Sequence, residues 1–286
     1  MRIGIFTKSF SGALGAVMRQ ASAAGYECVQ FNMAAVAAEI AATTIGVAVI
    51  DPAMPNAITP AVCALIVQAA HRNGVSIAAL SGTYNMIHPD PEIRAGGLAR
   101  LDVMLGAAAA MGVPLVTLCT GTRDSTDQWR HHPDNAAPDA WRDLSTEMAR
   151  AVALADRHGV DLGIEPERAN VVRDAAAAKR LLDERGSARL RIVLDPANLV
   201  EADDADPWRD TIAHAVELLG PHIAMSHAKD RAADNGFVTV GRGAIDFPHF
   251  IGCLRNVKFD GPLVTHGLAA NEAAGVATFL RGVLDA

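Results

Sequence analysis

The sequence predicts an α/β protein with a (β/α)8 TIM-barrel fold, and three observations support this prediction. Short apolar runs alternate with longer Ala-rich helical stretches along the whole chain. The chain contains eight such strand–helix units, the number that a closed barrel of parallel strands requires. Four runs in the second half end abruptly at an acidic residue or a histidine, as buried parallel strands do at the mouth of a barrel. The 286 residues fit one domain spanning 1–286.

Each predicted strand is a short apolar run, and each predicted helix is a longer stretch rich in alanine. The strands are, in chain order, Ile3–Phe6, Cys28–Phe31, Ile77–Leu80, Leu115–Cys119, Leu162–Glu165, Ile192–Asp195, Ile223–His227 and Leu263–His266. The helices are Leu14–Ala24, Pro60–Asn73, Glu92–Met111, Ala140–His158, Ala175–Glu184, Trp208–Leu219, Phe247–Asn256 and Ala273–Leu284. Glycine follows several of the helices, as is common at helix C-termini, and the next strand begins within a few residues.

Two segments depart from this alternation. Ala34–Ala57 begins as an Ala-rich stretch, but the pattern does not place its second half. Thr120–Asp139 is the longest loop, and it follows the fourth predicted strand. Because loops after barrel strands lie at the active mouth, we expect this loop there, where it could act as a lid.

The composition limits the classes of function. Half of the residues are hydrophobic and only 5% are aromatic, so the core is expected to consist of Ala, Val, Leu and Ile. The net charge of −7 argues against a nucleic-acid partner, which usually requires a basic surface. The apolar runs are too short to span a membrane, and the first run is a strand rather than a signal peptide. Together with four widely spaced cysteines, these features favour a cytoplasmic protein with free thiols.

Two carboxylates and two imidazoles stand at the ends of the last four predicted strands. They belong to Glu165, Asp195, His227 and His266, which the fold would gather at one mouth. Mixed oxygen and nitrogen ligation suits Zn²⁺, Mn²⁺, Fe²⁺ or Co²⁺ better than Mg²⁺ or Ca²⁺. The sequence therefore predicts a divalent-metal site and leaves the identity of the metal open. Asp195 could instead cap the following turn, and His266 taken alone would equally suit a core position.

Residues close to these four have second roles. Residues two apart on an extended chain face the same side, which directs Glu167 and Lys229 toward the same cavity. Glu167 is a candidate acid or base, the alternative being a solvated loop carboxylate. Lys229 could hold a phosphate, carboxylate or enolate oxygen of a substrate. Asn198, three residues beyond Asp195, is a candidate contact for a substrate hydroxyl.

Two further loops supply candidates from other strands. His88 follows the third predicted strand and could contact substrate or carry a proton, the alternative being a residue that packs or caps within the loop. Arg242, between Gly241 and Gly243, is a candidate clamp for an anionic group of the substrate. Asp246 is expected to cap the helix that follows it.

At these motifs the chain resembles the xylose isomerase-like TIM barrels. The resemblance is to the sugar phosphate isomerase/epimerase family and its relatives, the ketose 3-epimerases, inosose dehydratases and AP endonuclease family 2. The motifs are Gly163-Ile-Glu-Pro-Glu167, Leu194-Asp-Pro-Ala-Asn198, His227-Ala-Lys-Asp230 and Val240-Gly-Arg-Gly-Ala-Ile-Asp246. The resemblance implies a barrel that binds one divalent metal through a Glu, an Asp, a His and a Glu after strands five to eight.

The chain matches the first three of these ligands and departs at the fourth. Glu165, Asp195 and His227 take the family positions, whereas His266 stands where the family usually carries Glu. The 3-epimerases use their two metal-bound glutamates as opposed acid and base, so this replacement removes one carboxylate of that pair. The resemblance then favours an isomerisation or dehydration with one carboxylate base, or a reaction in which His266 is the other acid or base. Asn198 likewise stands where the family usually has His.

We therefore expect a metal-dependent isomerase or epimerase that removes a proton next to a carbonyl of a sugar, sugar phosphate or related polyol. Proton removal is assigned to Glu165 or Glu167. The alternatives are a metal-dependent lyase or dehydratase, a metal-dependent hydrolase, and a non-catalytic barrel that binds a sugar. The expected partner is a small carbohydrate, with neither nucleic acid nor membrane, and association into a homo-oligomer is left open.

Overall fold

The computed structural model describes residues 1–43, 51–202, 204 and 207–286, and within them eight parallel strands close a barrel. These strands are β1 (Arg2–Phe6), β2 (Cys28–Phe31), β3 (Ser76–Ser81), β4 (Leu115–Leu118), β5 (Asp161–Ile164), β6 (Leu190–Leu194), β7 (Ile223–Ala228) and β10 (Pro262–Thr265). Around the barrel they follow the order β1-β10-β7-β6-β5-β4-β3-β2. The predicted TIM-barrel fold is therefore confirmed.

The helices lie between the strands, as the alternation predicts. They are α1 (Leu14–Ala23), α2 (Ala37–Thr43), α3 (Pro60–Arg72), α4 (Pro91–Met111), α5 (Pro138–His158), α6 (Ala175–Arg185), α7 (Trp208–Leu219), α8 (Phe247–Asn256) and α9 (Ala273–Asp285). Glycines in the left-handed conformation end α4, α5 and α6. The unplaced stretch Ala34–Ala57 contains α2, while its residues 44–50 lie outside the described residues. Among the described residues, no helix is long and apolar enough to cross a membrane.

A short antiparallel hairpin extends the chain beyond β7. It consists of β8 (Asp230–Arg231) and β9 (Phe237–Val238), which the sequence pattern did not predict. The fully buried Asp230 carboxylate accepts hydrogen bonds from the backbone of Gly241 and Gly243, both at 2.9 Å. A Cβ at position 243 would lie 2.2 Å from that carboxylate, so the approach requires glycine.

Inside the barrel, an apolar layer lies beneath the mouth. Five buried residues form its cluster: Ala79, Leu115, Val193, Met225 and Val264. A Cβ at Gly163 of β5 would lie 2.7 Å from a Val193 methyl group and 3.2 Å from Leu115, so the layer continues through β5 without a side chain. Because residues two apart on a strand face the same side, each position of this layer is followed by an inward-facing residue nearer the mouth.

Candidate metal centre

The four predicted ligands meet at the C-terminal end of the barrel. One ligand atom from each of Glu165, Asp195, His227 and His266 lies within 4.8 Å of the other three. Glu165, Asp195 and His266 each follow directly after their strands, and His227 is the penultimate residue of β7. Each stands two residues beyond an interior position of the apolar layer, at Gly163, Val193, Met225 and Val264. The strand period therefore explains their convergence.

Asp195 occupies the floor of this cluster and uses its two oxygens differently. Oδ1 accepts a hydrogen bond from the Ala197 backbone at 2.9 Å and caps a short 3-10 helix. Oδ2 lies 3.2 Å from Nε2 of His266 and 3.7 Å from Nδ1 of His227. The alternative role expected for Asp195, that of a cap, thus coexists with its place in the cluster.

His227 stands between Glu165 and the opposite wall of the barrel. Its Nδ1 lies 3.3 Å from Oε1 of Glu165, and its Nε2 lies 2.8 Å from Oε1 of Gln30. The imidazole of His266 packs edge-on against it, with ring centroids 4.5 Å apart. His227 is 2% exposed and Asp195 is fully buried, so the charges here are shielded from water.

The titration behaviour of the cluster follows from these contacts. Burial by itself would raise the pKa of Asp195, but Lys229, His227 and His266 hold it well below its usual range. Burial by itself would lower the pKa of His227, but the carboxylates of Glu165 and Asp195 outweigh this effect and raise it to about 9. Burial and the neighbouring His227 lower the pKa of His266. The two carboxylates thus create a negative potential that favours a cation.

The donor set fits a divalent transition metal. Two oxygen and two nitrogen donors suit Zn²⁺, Mn²⁺, Fe²⁺ or Co²⁺. Ligand atoms bonded to one such metal at about 2.0–2.2 Å lie no more than about 4.4 Å apart. All four donor atoms lie within 4.8 Å of one another, so modest side-chain movements would bring them to bonding distance of a single ion.

Three of the predicted neighbours line the cavity above the cluster. This mouth cavity has a volume of about 500 Å³, and Glu167, Asn198 and Lys229 line it. Asn198 donates a hydrogen bond to Oε1 of Glu165 at 2.7 Å and accepts one from Lys229 at 2.8 Å. Lys229, Asn198 and Glu165 therefore form one chain of hydrogen bonds. Burial, followed by the charge of Glu165, raises the pKa of Glu167 to about 7.

The structure does not bring His88 or Arg242 to the mouth cavity. His88 lines a separate cavity of about 430 Å³, and its ring nitrogens contact the Ser125 carbonyl at 3.1 Å and the Asp90 backbone nitrogen at 3.0 Å. Arg242 is largely exposed and lies 3.5 Å from Glu272 in another pocket. Since Asp230 holds the glycines on both sides of Arg242, the loop turns this side chain away.

The long loop after β4 covers one side of the mouth. The Asn85 side chain holds the start of this loop with two hydrogen bonds. It donates to the Thr122 carbonyl at 2.8 Å and accepts from the Thr122 backbone nitrogen at 2.9 Å. Its Trp129 is 48% exposed and lines both the mouth cavity and the cavity of His88. The predicted location of this loop at the mouth is confirmed, while its role as a lid stays a prediction.

Sequence reasoning missed two polar residues of the mouth, Gln30 and Thr117. Both are buried, both line the mouth cavity, and Nε2 of Gln30 donates to Oγ1 of Thr117 at 3.1 Å. Each stands two residues beyond an interior position of its own strand, as the four ligands do. The signal available in the sequence was a polar residue within an otherwise apolar strand.

Fold and site together define a (β/α)8 barrel with a candidate divalent-metal centre at its mouth. The family model "xylose isomerase-like TIM barrel" matches residues 18–278, and the chain belongs to this family. The family resemblance inferred from the sequence is thus confirmed. No curated protein sequence gives a significant match.

Solved structures with the same fold include three proteins with low sequence identity. A xylose isomerase domain protein from Planctomyces limnophilus is 15% identical with a TM-score of 0.72, over 98% of this chain and 95% of that one. The 3-keto-D-glucoside 4-epimerase from E. coli is 16% identical with a TM-score of 0.74, over 99% of each chain. The D-psicose 3-epimerase from Clostridium cellulolyticum H10 is 15% identical with a TM-score of 0.72, over 99% of each chain. At these identities the likeness establishes the fold.

Proposed function

We propose that this protein is a metal-dependent isomerase or epimerase that acts on a sugar, sugar phosphate or related polyol. The observation that carries the proposal is the convergence of Glu165, Asp195, His227 and His266 within 4.8 Å at the barrel mouth. In a TIM barrel this end holds the catalytic groups. The epimerase activities named for two proteins of the same fold support the same reaction class.

In this proposal Glu165, Asp195, His227 and His266 hold the metal. When bound, the metal polarises substrate oxygens and stabilises the negative charge that develops on them. The metal would be Mn²⁺, Zn²⁺, Co²⁺ or Fe²⁺.

Glu167 is the proposed base. It lines the mouth cavity next to the ligands, and no hydrogen bond ties its carboxylate to the described part of the chain. A carboxylate oxygen of Glu167 takes the proton from the carbon beside the carbonyl, and the electrons of that C–H bond move toward the carbonyl oxygen. Return of the proton to the former carbonyl carbon, as the neighbouring hydroxyl passes its proton to the former carbonyl oxygen, completes an isomerisation. An epimerisation instead requires a second group, on the opposite face, to return a proton to the same carbon.

Asn198 and Lys229 are proposed to bind substrate hydroxyl or anionic oxygens, because both line the same cavity. His88 and Arg242, although candidates by sequence, are not assigned to this step, since they line other cavities. His266 in place of a carboxylate leaves Glu165 and Glu167 as the carboxylates that line the described cavity, both beyond the end of β5. This arrangement favours a reaction with one carboxylate base, such as an isomerisation or a dehydration.

The test is exchange of substrate hydrogen with solvent. Metal-depleted protein is reloaded with Mn²⁺, Co²⁺ or Zn²⁺ and incubated in deuterated water with a panel of ketoses, their phosphates and related polyols. We expect NMR to detect deuterium at the carbon beside the carbonyl, and chelation of the metal to abolish the exchange. Hydrolysis of a phosphate or glycoside without any exchange would favour the hydrolase alternative. Sugar binding without exchange or turnover would favour the non-catalytic one.

A further inference from the structure

The amide of Gln30 is the direct protein partner of the outer nitrogen of His227. It belongs to β2, on the side of the barrel that contributes none of the four candidate ligands. Oε1 of Gln30 lies 2.8 Å from Nε2 of His227, and both side chains are almost fully buried. A buried amide without partners costs about 1–3 kcal/mol, so its presence inside an apolar strand needs a compensating contact.

A second contact is made by the other end of the Gln30 amide. Nε2 of Gln30 donates to Oγ1 of Thr117 at 3.1 Å, and Thr117 is itself 1% exposed on β4. With its nitrogen directed to Thr117, the amide presents its oxygen to the imidazole. An oxygen can only accept, so the imidazole nitrogen facing it carries the proton.

Because of the orientation of His227, the position of this proton decides which ring nitrogen can bind a metal. Its Nδ1 faces the cluster, 3.3 Å from Glu165 and 3.7 Å from Asp195, while Nε2 faces Gln30. A neutral imidazole protonated on Nε2 has its lone pair on Nδ1, directed at the candidate metal position. In metal sites, a hydrogen bond to the outer nitrogen of a ligating histidine fixes the tautomer and the ring orientation.

We propose that Gln30 is a positioning residue that holds His227 with its proton on Nε2, so that Nδ1 is the metal-ligating atom. This assignment rests on the proposed metal site. Gln30 also lines the mouth cavity, where a substrate contact would be the competing role. The two roles differ in their effect on metal binding, because a substrate contact acts only once substrate is present.

The experiment measures Zn²⁺ affinity of the metal-depleted, full-length chain by calorimetry, without substrate. Gln30→Leu, which removes the acceptor at similar volume, is expected to weaken Zn²⁺ binding about 10- to 100-fold. Gln30→Glu keeps an oxygen facing Nε2 and is expected to restore binding to within a few-fold of wild type. Gln68→Leu, the same change on the exposed face of α3, should leave affinity unchanged.

A spectroscopic measurement on the wild-type protein needs no substitution. In Zn²⁺-loaded protein with ¹⁵N-labelled histidine, we expect the His227 resonances of a protonated Nε2 and a metal-bound Nδ1. Zinc on Nε2, or a proton on Nδ1, would overturn the assignment.

The variants distinguish this proposal from the metal site itself. Wild-type affinity in Gln30→Leu would remove the role of Gln30 and leave the metal site intact, whereas a wild-type protein that binds no divalent ion would remove both. Should Gln30→Leu fail to fold, Thr117→Val keeps the amide and removes only the hydroxyl that orients it. It is expected to weaken Zn²⁺ binding measurably relative to wild type, and unchanged affinity there would contradict the proposal.

Discussion

The two halves of the barrel contribute different chemistry to the same mouth. Strands β1 to β4 contribute neutral side chains, namely Phe6, Gln30, Ser81 and Thr117. The ends of β5, β6, β7 and β10 contribute the ionisable side chains Glu165, Asp195, His227 and His266. Both sets stand two residues beyond an interior position of their strands. The strand period thus determines which positions face the mouth, and the residue type determines their function.

The difference also concerns the cost of burial. The four ionisable groups lie on strands that are neighbours in the barrel, so their charges share one desolvated region. Such a cluster is expensive to bury unless a counter-charge lies within it. The side chains of strands β1 to β4 carry no such cost and supply shape and hydrogen bonds instead, including the contact from Gln30 to His227. Lys8, two residues beyond Phe6, is the cation that this half adds to the cavity wall.

Glu167→Gln tests whether a residue beyond β5, in the half of the barrel that carries the ionisable side chains, transfers the proton. This substitution has the largest expected effect. The variant keeps the size of the side chain and removes the proposed base, so kcat should fall about 10²- to 10⁴-fold. Because Glu167 is not one of the four candidate ligands, calorimetry should find divalent-metal affinity close to that of wild type. Glu165→Gln is the matched control, since the same change at a ligand should weaken metal binding as well. A Glu167→Gln enzyme with wild-type kcat would exclude this residue as the base.

His266→Ala tests the ligand at which the chain departs from the family pattern. Residues that only hydrogen-bond to a metal ligand typically change metal affinity about 10- to 100-fold when they are replaced. Loss of a ligand itself should therefore lower divalent-metal affinity by at least about tenfold. The measurement is calorimetric titration of metal-depleted protein with Mn²⁺ or Zn²⁺. His71→Ala, which removes an exposed histidine of α3, serves as the control. Unchanged affinity in His266→Ala would make His266 a residue of the cavity wall.

Glu147→Gln tests a buried carboxylate outside the mouth, whose neighbouring cation is Arg150 at 3.8 Å, and it has the smallest expected effect. Glu147 on α5 is 2% exposed and accepts a hydrogen bond from the Tyr84 hydroxyl at 3.0 Å. Burial raises the pKa of Glu147 above its usual value. Since the folded-state pKa exceeds that of the unfolded chain, ionisation opposes folding. The stability that this group contributes is complete below a pH of about 4.3 and is lost as the pH rises through the raised folded-state pKa.

The amide in Glu147→Gln keeps an oxygen for Tyr84 and cannot ionise. At pH 8 we therefore expect the variant to be more stable than wild type by on the order of 1 kcal/mol, with the gain shrinking toward pH 4. Urea unfolding at several pH values measures the difference. Glu217→Gln, on an exposed position of α7, should show no such pH dependence. Equal stability of Glu147→Gln and wild type at pH 8 would mean that solvation or Arg150 already offsets the buried charge.

Much of the fold could be predicted from the sequence because alternation and strand burial are local patterns. Predicted strands such as Cys28–Phe31 match the structure, and Ile192–Asp195 differs from β6 by two residues at its start and one at its end. The hairpin β8–β9 was missed because contacts of the Asp230 carboxylate, rather than hydrophobic periodicity, order its surroundings.

Residues of the candidate site could be predicted where an ionisable side chain stands at the end of an apolar strand. Residues without that combination were harder to predict. Glu165 and Asp195 are unusual residues for the end of an apolar run, whereas Gln30 and Thr117 resemble ordinary strand residues until their contacts are known. His88 and Arg242 were expected near the mouth because their loops begin there. The directions of those side chains depend on contacts with Ser125 and Glu272, which are distant in sequence.

Gly163, two residues before Glu165, limits how far this barrel can vary in sequence. Since a Cβ there would lie 2.7 Å from a Val193 methyl group and 3.2 Å from Leu115, even alanine would require these side chains or β5 itself to shift. A displacement of β5 would carry Glu165 with it, away from three partners on other strands. Gly163 is not one of the four candidate ligands, but only a hydrogen atom fits in place of its side chain. The close packing at this position therefore helps to keep the Glu165 carboxylate where it is and limits which substitutions β5 can accept.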